Sequence, residues 1–203
     1  MLDHSERERL TNLLKDFMGA KRHDHSVKVA TACVRLAQLH APQLEDQAEI
    51  AGLLHDNAKK MPVPDQLAIA RERGLPVSPE EENSPELLHG KVGALLLKRR
   101  FGIDDPEVEQ AVCDHVTGRP GMGLLSKLLY VADYTSADRS FPGVEEVREI
   151  SRQDLDAAVF AVASGKLRSI IERGLMIESN TVALYNEYRE HARRLLREER
   201  IDG

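Results

Sequence analysis

Leu124-Leu125-Ser126-Lys127-Leu128-Leu129-Tyr130-Val131-Ala132-Asp133 decides the fold. Its leucines and Ala132 recur at helical spacing, and so few polar residues interrupt them that this helix belongs at the centre of a core. The run closes on a carboxylate, Asp133, which is costly to bury without a partner or a metal. Working toward the N-terminus, Ala51-Gly52-Leu53-Leu54 runs into His55-Asp56 in the same way, within a helix read as Ala48 to Ala58. Leu10 to Met18 before Gly19, and Val29 to Ala37 before Pro42, give two more helices, and Pro64-Asp65 to Gly74 a further one. Ser84-Pro85-Glu86 reads as a helix start, serine as cap and proline at the first position, with the helix ending near Gly102. Asp105-Pro106 repeats that signal for a helix reaching about Val116, and Val144–Ser151 and Asp154–Gly174 follow. No alternating segment competes with these. The expectation is one all-α helical bundle: an N-terminal helix over 1–19, the main domain over 20–180, and a charged C-terminal helix over 181–203.

The 203 residues are 41% hydrophobic and 31% charged, ordinary for a chain that buries a core. A net charge of −6 without a basic run argues against general nucleic-acid binding, which needs excess positive charge to release counterions. An anionic substrate would therefore need local positive charge, from a metal or a few arginines. The longest apolar run, Leu128 to Ala132, cannot span a bilayer, and the acidic, polar start Met1-Leu2-Asp3-His4 is unlike a signal peptide. Cys33 and Cys113 lie far apart without metal-type spacing and read as buried reduced thiols. These features point to a cytoplasmic protein with no membrane partner. The stretch from Asn186 to Arg200, dense in Glu and Arg, reads as a solvated, salt-bridged helix. Leu184, Tyr188, His191 and Leu195 on it could instead face a second copy in a homodimer.

Chemistry concentrates on the histidines. His55 and Asp56 diverge by about 100° on a regular helix, yet at the end of a buried helix they can converge on one cation; the alternative is a solvated pair at a capped end. Lys59 is one helical turn beyond His55, well placed for a substrate phosphate. His25 near a helix start, His89 one turn into its helix, and His115 and Asp133 at helix ends suggest a site where the ends of a bundle converge. Arg119, in Thr117-Gly118-Arg119-Pro120-Gly121, reads either as a bidentate phosphate contact on an anion-binding loop or as a surface arginine in a plain turn. Arg139, before Phe141-Pro142-Gly143, reads the same two ways, with Phe141 as an adenine platform or a core filler. Met122 reads as packing, and His4, His40 and His191 as solvent-facing.

The series His25, His55-Asp56, His89, His115 and Asp133 resembles the HD-domain metal-dependent phosphohydrolases. It is most similar to their YqeK-type branch, the bacterial symmetrical diadenosine tetraphosphate hydrolases. The likeness rests on Lys21-Arg22-His23-Asp24-His25-Ser26, Ala51 to Lys59, Glu86-Leu87-Leu88-His89-Gly90, and His115 to Met122. Tyr130-Val131-Ala132-Asp133-Tyr134 and Asp138-Arg139-Ser140-Phe141-Pro142-Gly143-Val144 complete it. It covers about residues 20 to 180, leaving the charged tail unassigned, and His23 stands where that family commonly has an aromatic residue. The resemblance implies that His25, His55, Asp56 and Asp133 hold a divalent metal, iron in the first place, though manganese, cobalt and zinc suit the same donors. It implies catalytic roles for Asp56, Lys59, His89 and His115. His89 and His115 would touch phosphate and protonate the leaving group, or hold a second metal. Substrate contacts would come from His25, Lys59, His89, His115, Thr117, Arg119, Asp133, Arg139, Phe141, Pro142 and Gly143. The implied reaction cuts diadenosine tetraphosphate into two ADP, with metal-bound hydroxide as nucleophile. Hydrolysis of another nucleotide, a mono- or triphosphate, and a non-catalytic nucleotide sensor are the alternatives.

Overall fold

A computed structural model describes residues 2–198, and for 192–198 the backbone alone. Every regular element among the described residues is helical: α1 (His4–Lys15), α2 (Ala20–His40), α3 (Glu45–Leu54), α4 (Val63–Glu72), α5 (Pro79–Asn83), α6 (His89–Phe101), α7 (Pro106–Asp114), α8 (Leu124–Thr135), α9 (Val144–Gln153), α10 (Leu155–Glu172) and α11 (Ser179–Glu198). The all-α expectation holds.

The leucine-rich segment is central, as its sequence requires. Leu125, Leu128, Leu129, Tyr130, Val131 and Ala132 are all buried, and α8 packs against α2, α3, α7, α9 and α10. The tightest partnership is between α2 and α3. Gly52 permits it: a Cβ there would lie 2.5 Å from Ala30 Cα, so any larger residue would force the helices apart. Gly90 does the same for α6 against α7, where a Cβ would meet the Cys113 carbonyl oxygen at 3.0 Å. These two close approaches draw His25 toward His55 and His89 toward His115.

Several boundaries fall where sequence chemistry puts them. Asp105 caps α7 by accepting from the amides of Glu107 and Val108, and Asp154 caps α10 by accepting from Ala157. Gly102 closes α6 in the left-handed conformation that glycine adopts freely.

Other boundaries need correcting. Ser84 makes no capping bond; a 3₁₀ turn over Pro85–Leu88 leads into α6 instead. The capping serine is Ser78, which with Glu81 forms a reciprocal capping box on the short α5. The helix read as Ala48 to Ala58 stops at Leu54. From there the chain passes through turns closed by Asn57 N–H to Leu54, Lys59 N–H to Asp56 and Met61 N–H to Ala58. Lys59 therefore does not share a helical face with His55.

The C-terminal helix begins at Ser179; of the charged stretch whose side chains are described, Asn186, Glu187, Arg189 and Glu190 are exposed and Arg189 pairs with Glu190, while its inner face is buried. Leu184 and Tyr188 are buried in this chain's own core, and His191 contacts Asp154 at 2.8 Å, so these three do not form an open face for a second copy. His40 also departs from the solvent reading, with Nε2 2.7 Å from the Ser151 carbonyl oxygen. The side chain of Leu195 lies outside the described residues. Met122 packs in the core as expected. Both thiols are free, Cys33 buried and Cys113 partly so, and burial raises both above the ordinary thiol range.

Candidate metal centre

Five helices deliver the predicted donors to one place. His25 projects from the second turn of α2, His55 caps the end of α3 with Asp56 beside it, His89 opens α6, His115 caps the end of α7, and Asp133 lies in the last turn of α8. Ligand atoms of His25, His55 and Asp133 lie within 4.8 Å of one another, and so do those of His55, Asp56 and His115. His55 belongs to both groups. Its Nε2 is fully buried without a hydrogen bond, 3.5 Å from Asp56 Oδ2 and 3.9 Å from Asp133 Oδ1. A buried imidazole nitrogen left unpaired between two carboxylates fits a cation-binding position, because an apolar filling would leave that nitrogen unsatisfied beside two negative charges.

Backbone carbonyls aim three of the four rings. His55 Nδ1 lies 2.8 Å from the Gly52 oxygen, His89 Nδ1 2.5 Å from Glu86 and His115 Nδ1 2.7 Å from Val112. In each case the carbonyl belongs to the residue three positions earlier. A carbonyl can only accept, so each Nδ1 carries a proton and each Nε2 is turned into the site. His25 is anchored differently: Asp138 Oδ2 lies 2.9 Å from its Nδ1 and Asp133 Oδ1 lies 3.1 Å from its Nε2. A carboxylate behind a ligating imidazole fixes its ring and raises its basicity. His89 and His115 face each other with Nε2 atoms 3.2 Å apart, and Asp56 Oδ1 is 3.1 Å from the former. With both Nδ1 atoms donating to carbonyls, the two Nε2 atoms converge on one point of the site.

Each carboxylate of the centre also accepts from one guanidinium. Arg22 donates to Asp56 Oδ2 at 2.5 Å, and Arg139 to Asp133 Oδ1 at 2.6 Å. Burial pushes both acids upward, but the surrounding imidazoles, with Arg139 at Asp133, outweigh it and hold each well below the usual carboxylate range. Burial likewise lowers His55, yet the charges of Asp56 and Asp133 leave it raised overall. His115, buried beside two other imidazoles, is pushed down to about 4. Burial also lowers Lys59, whose Nζ lies 3.4 Å from the His89 ring, so it reaches the site from its turn.

The flanking loops are arranged less directly than their sequence suggests. Arg119 Nε donates to Asp114 Oδ1 at 3.0 Å, and Asp114 also accepts from Ser126 and Gln110. This arginine is thus held at the loop by a buried carboxylate. Thr117 Oγ1 donates to the Gly118 carbonyl, while its own carbonyl accepts from Thr181 on α11. Phe141 packs edge-on against Tyr134, ring centres 4.8 Å apart, with Pro142 and Gly143 exposed beside it. His23 stays outside the donor groups, 3.3 Å from the Thr11 carbonyl oxygen.

Three residues with no assigned role in the sequence reading touch the centre. Arg22 and Asp138 fall within quoted motifs, but nothing in their spacing reveals the partners they reach, far away in the chain. Lys166 on α10 donates to the carbonyls of His115 and Val116 at 3.1 and 2.9 Å, with Nζ 3.8 Å from the Tyr130 ring centre. Burial pushes its ammonium down to about 7.

Residues 22–138 match the HD domain family model. The chain is 34% identical over 180 residues to a Bacillus subtilis protein named bis(5'-nucleosyl)-tetraphosphatase, symmetrical, covering 89% of this chain and 96% of that one. A protein of the same name from Halalkalibacterium halodurans is 33% identical over 181 residues, with the same coverage. A crystal structure from Clostridium acetobutylicum, described as a predicted HD superfamily hydrolase involved in NAD metabolism, superposes with a TM-score of 0.87 at 36% identity, covering 91% of this chain and 97% of that one. No described helix is long and apolar enough to cross a membrane.

Proposed function

The chain belongs to the HD-domain family and to the family of the symmetrical bis(5'-nucleosyl)-tetraphosphatases, and from that premise we propose that it hydrolyses diadenosine tetraphosphate to two ADP in a metal-dependent reaction. The observation that carries this reading is the pair of donor groups converging on the unpaired, buried Nε2 of His55. His25, His55, Asp56 and Asp133 would hold the metal, iron by resemblance, with manganese, cobalt and zinc compatible with the same donors. A divalent ion there supplies Lewis-acid polarisation of a phosphoryl group and a nucleophilic water near neutral pH.

The chain's own groups then divide the remaining work. Asp56, Asp133 and Asp138 are offset by Arg22, Lys59 and Arg139, so the site does not share the negative balance of the whole chain. Lys59 and Arg139 face the chain of phosphates, and their charge is worth most where water is displaced. His89 and His115, with their Nε2 atoms turned into the site, are the groups placed to touch a phosphate oxygen or to serve the leaving oxygen. Hydrolysis joins the oxygen of water to one central phosphorus and breaks its bond to the bridging oxygen. That bridge leaves with the other half as ADP. Asp114 holds Arg119 at the rim, and Thr117, Phe141, Pro142 and Gly143 line the loops on either side as nucleotide contacts. On this reading the protein is a cytoplasmic enzyme with a small nucleotide as its partner.

Chromatography of products from purified, metal-analysed protein tests the proposal. ADP as the sole product, lost on adding a chelator, is expected. ATP plus AMP would displace the assigned cleavage position, and no turnover with any of the four metals would remove the function.

A further inference from the structure

A cavity of about 610 Å³, a volume typical of small-molecule sites, opens along α2 beside the metal centre, bounded by α9 and the stretch that follows Thr135. Its lining includes Lys28, Arg35, Arg148 and Arg152 and no carboxylate, on a chain whose net charge is −6. Leu36 and Leu39 supply an apolar floor, and Leu39 is 56% exposed. Its cations are not equivalent. Arg148 is committed to the carbonyls of Thr135, Ser136 and Arg139, which pins the loop carrying Arg139. Lys28 pairs with Asp24, Arg148 also with Glu145, and Arg152 with Glu149. Arg35 is exposed and has no hydrogen bond or ion pair among the described residues.

The groove lies next to the site along the chain, on two elements that also carry site residues. Lys28 follows His25 by one turn of α2, and Ala137, in the lining, precedes the Asp138 that anchors His25. Arg35 lies about 15 Å further along the helix axis than His25. A ligand leaving the metal centre in this direction meets positive charge first and an apolar floor beneath it, which is the order of groups in a nucleotide read from phosphate to base.

We propose that this groove binds the far nucleotide of a dinucleoside polyphosphate, with Lys28 and Arg35 on its phosphates and Leu36 and Leu39 under its base. This rests on the reading of the metal centre as a dinucleotide hydrolase. The test is equilibrium binding to the metal-loaded enzyme of ADP and of a diadenosine tetraphosphate whose central bridging oxygen is replaced by methylene, so that binding is read without cleavage. Arg35→Glu is expected to weaken binding of the dinucleotide about tenfold and to leave ADP within about twofold, because one nucleotide is satisfied at the metal centre. Arg35→Lys should retain most of the affinity, and Leu39→Glu should reproduce the loss from the apolar side. Both positions are exposed, and unchanged unfolding midpoints verify that the variants are intact. Unchanged dinucleotide affinity in Arg35→Glu and Leu39→Glu, or an equal loss for ADP, overturns the assignment. Failure of the wild type to cleave diadenosine tetraphosphate sinks the hydrolase reading instead, while the binding pattern still judges the groove.

Discussion

Asp56 and Asp133 meet at His55, each with an arginine on one side and imidazoles on the other, but the two halves of the centre are built from different material. On the Asp56 side, His55, His89 and His115 are aimed by backbone carbonyls of their own preceding turns. On the Asp133 side, His25 is aimed by the side chain of Asp138, and Asp133 is clasped by Arg139 from the loop after α8. Backbone tethers move only if helices move; side-chain tethers can be deleted or exchanged singly. The first half is therefore the fixed part of the centre, and the second, whose Asp138 and Arg139 are partly exposed where Asp56 is buried, is the part a point mutation can loosen.

The largest effect should come from the fixed half. Asp56→Ala removes a donor and leaves three imidazoles and Arg22 facing an empty space. Loss of metal and a fall in kcat of about three orders of magnitude are expected, because the ion is worth several kcal/mol to the transition state. Metal analysis alongside rate measurements checks this. Asp138→Ala tests the adjustable half: the ring of His25 loses its anchor but not its place on α2, so metal affinity or turnover should drop about ten- to a hundredfold. A loss as large as that of Asp56→Ala would erase the distinction between the halves.

Protonation separates the rings further. His55 is raised, so a metal must displace a proton from it, and affinity should fall about tenfold per unit as pH drops through and below that raised value. His115, held down to about 4, is neutral over the same range and adds no such dependence until far lower pH. Metal competition titrations between about pH 5 and 8 should show a one-proton slope that survives in His115→Asn. A slope that vanishes there would move the proton to the wrong ring.

Much of this was legible in the sequence. The spacing of Leu124 to Ala132 placed α8 at the centre, and Asp105, Asp154 and Gly102 marked real ends, because caps act through adjacent backbone amides and carbonyls. Of the six donors, His25 and His89 sit near helix starts, while four, His55, Asp56, His115 and Asp133, were visible as polar residues closing apolar runs. The tethers were not, since a histidine bonded to a carbonyl three residues back has no sequence signature, and Arg22 and Asp138 reach their partners only through packing. The turn after Leu54 was hidden because Asn57, Ala58 and Lys59 do not oppose helix. Ser84 looked like a cap because the Ser-Pro-Glu signal also occurs at Ser78, where the Glu81 side chain completes the box. The smallest expected effect lies here: Ser78→Ala should cost about 1 kcal/mol in urea unfolding and Ser84→Ala essentially nothing, both without touching the metal.

The central claim is that His55, shared by both halves, seats a metal on which hydrolysis depends. His55→Gln and wild type, purified together, should be assayed for metal per chain and for ADP formed from diadenosine tetraphosphate. The account predicts metal and ADP in the wild type, and neither in a variant that keeps its helical circular dichroism. A folded variant that retains the metal, or that still releases ADP at the wild-type rate, would contradict it.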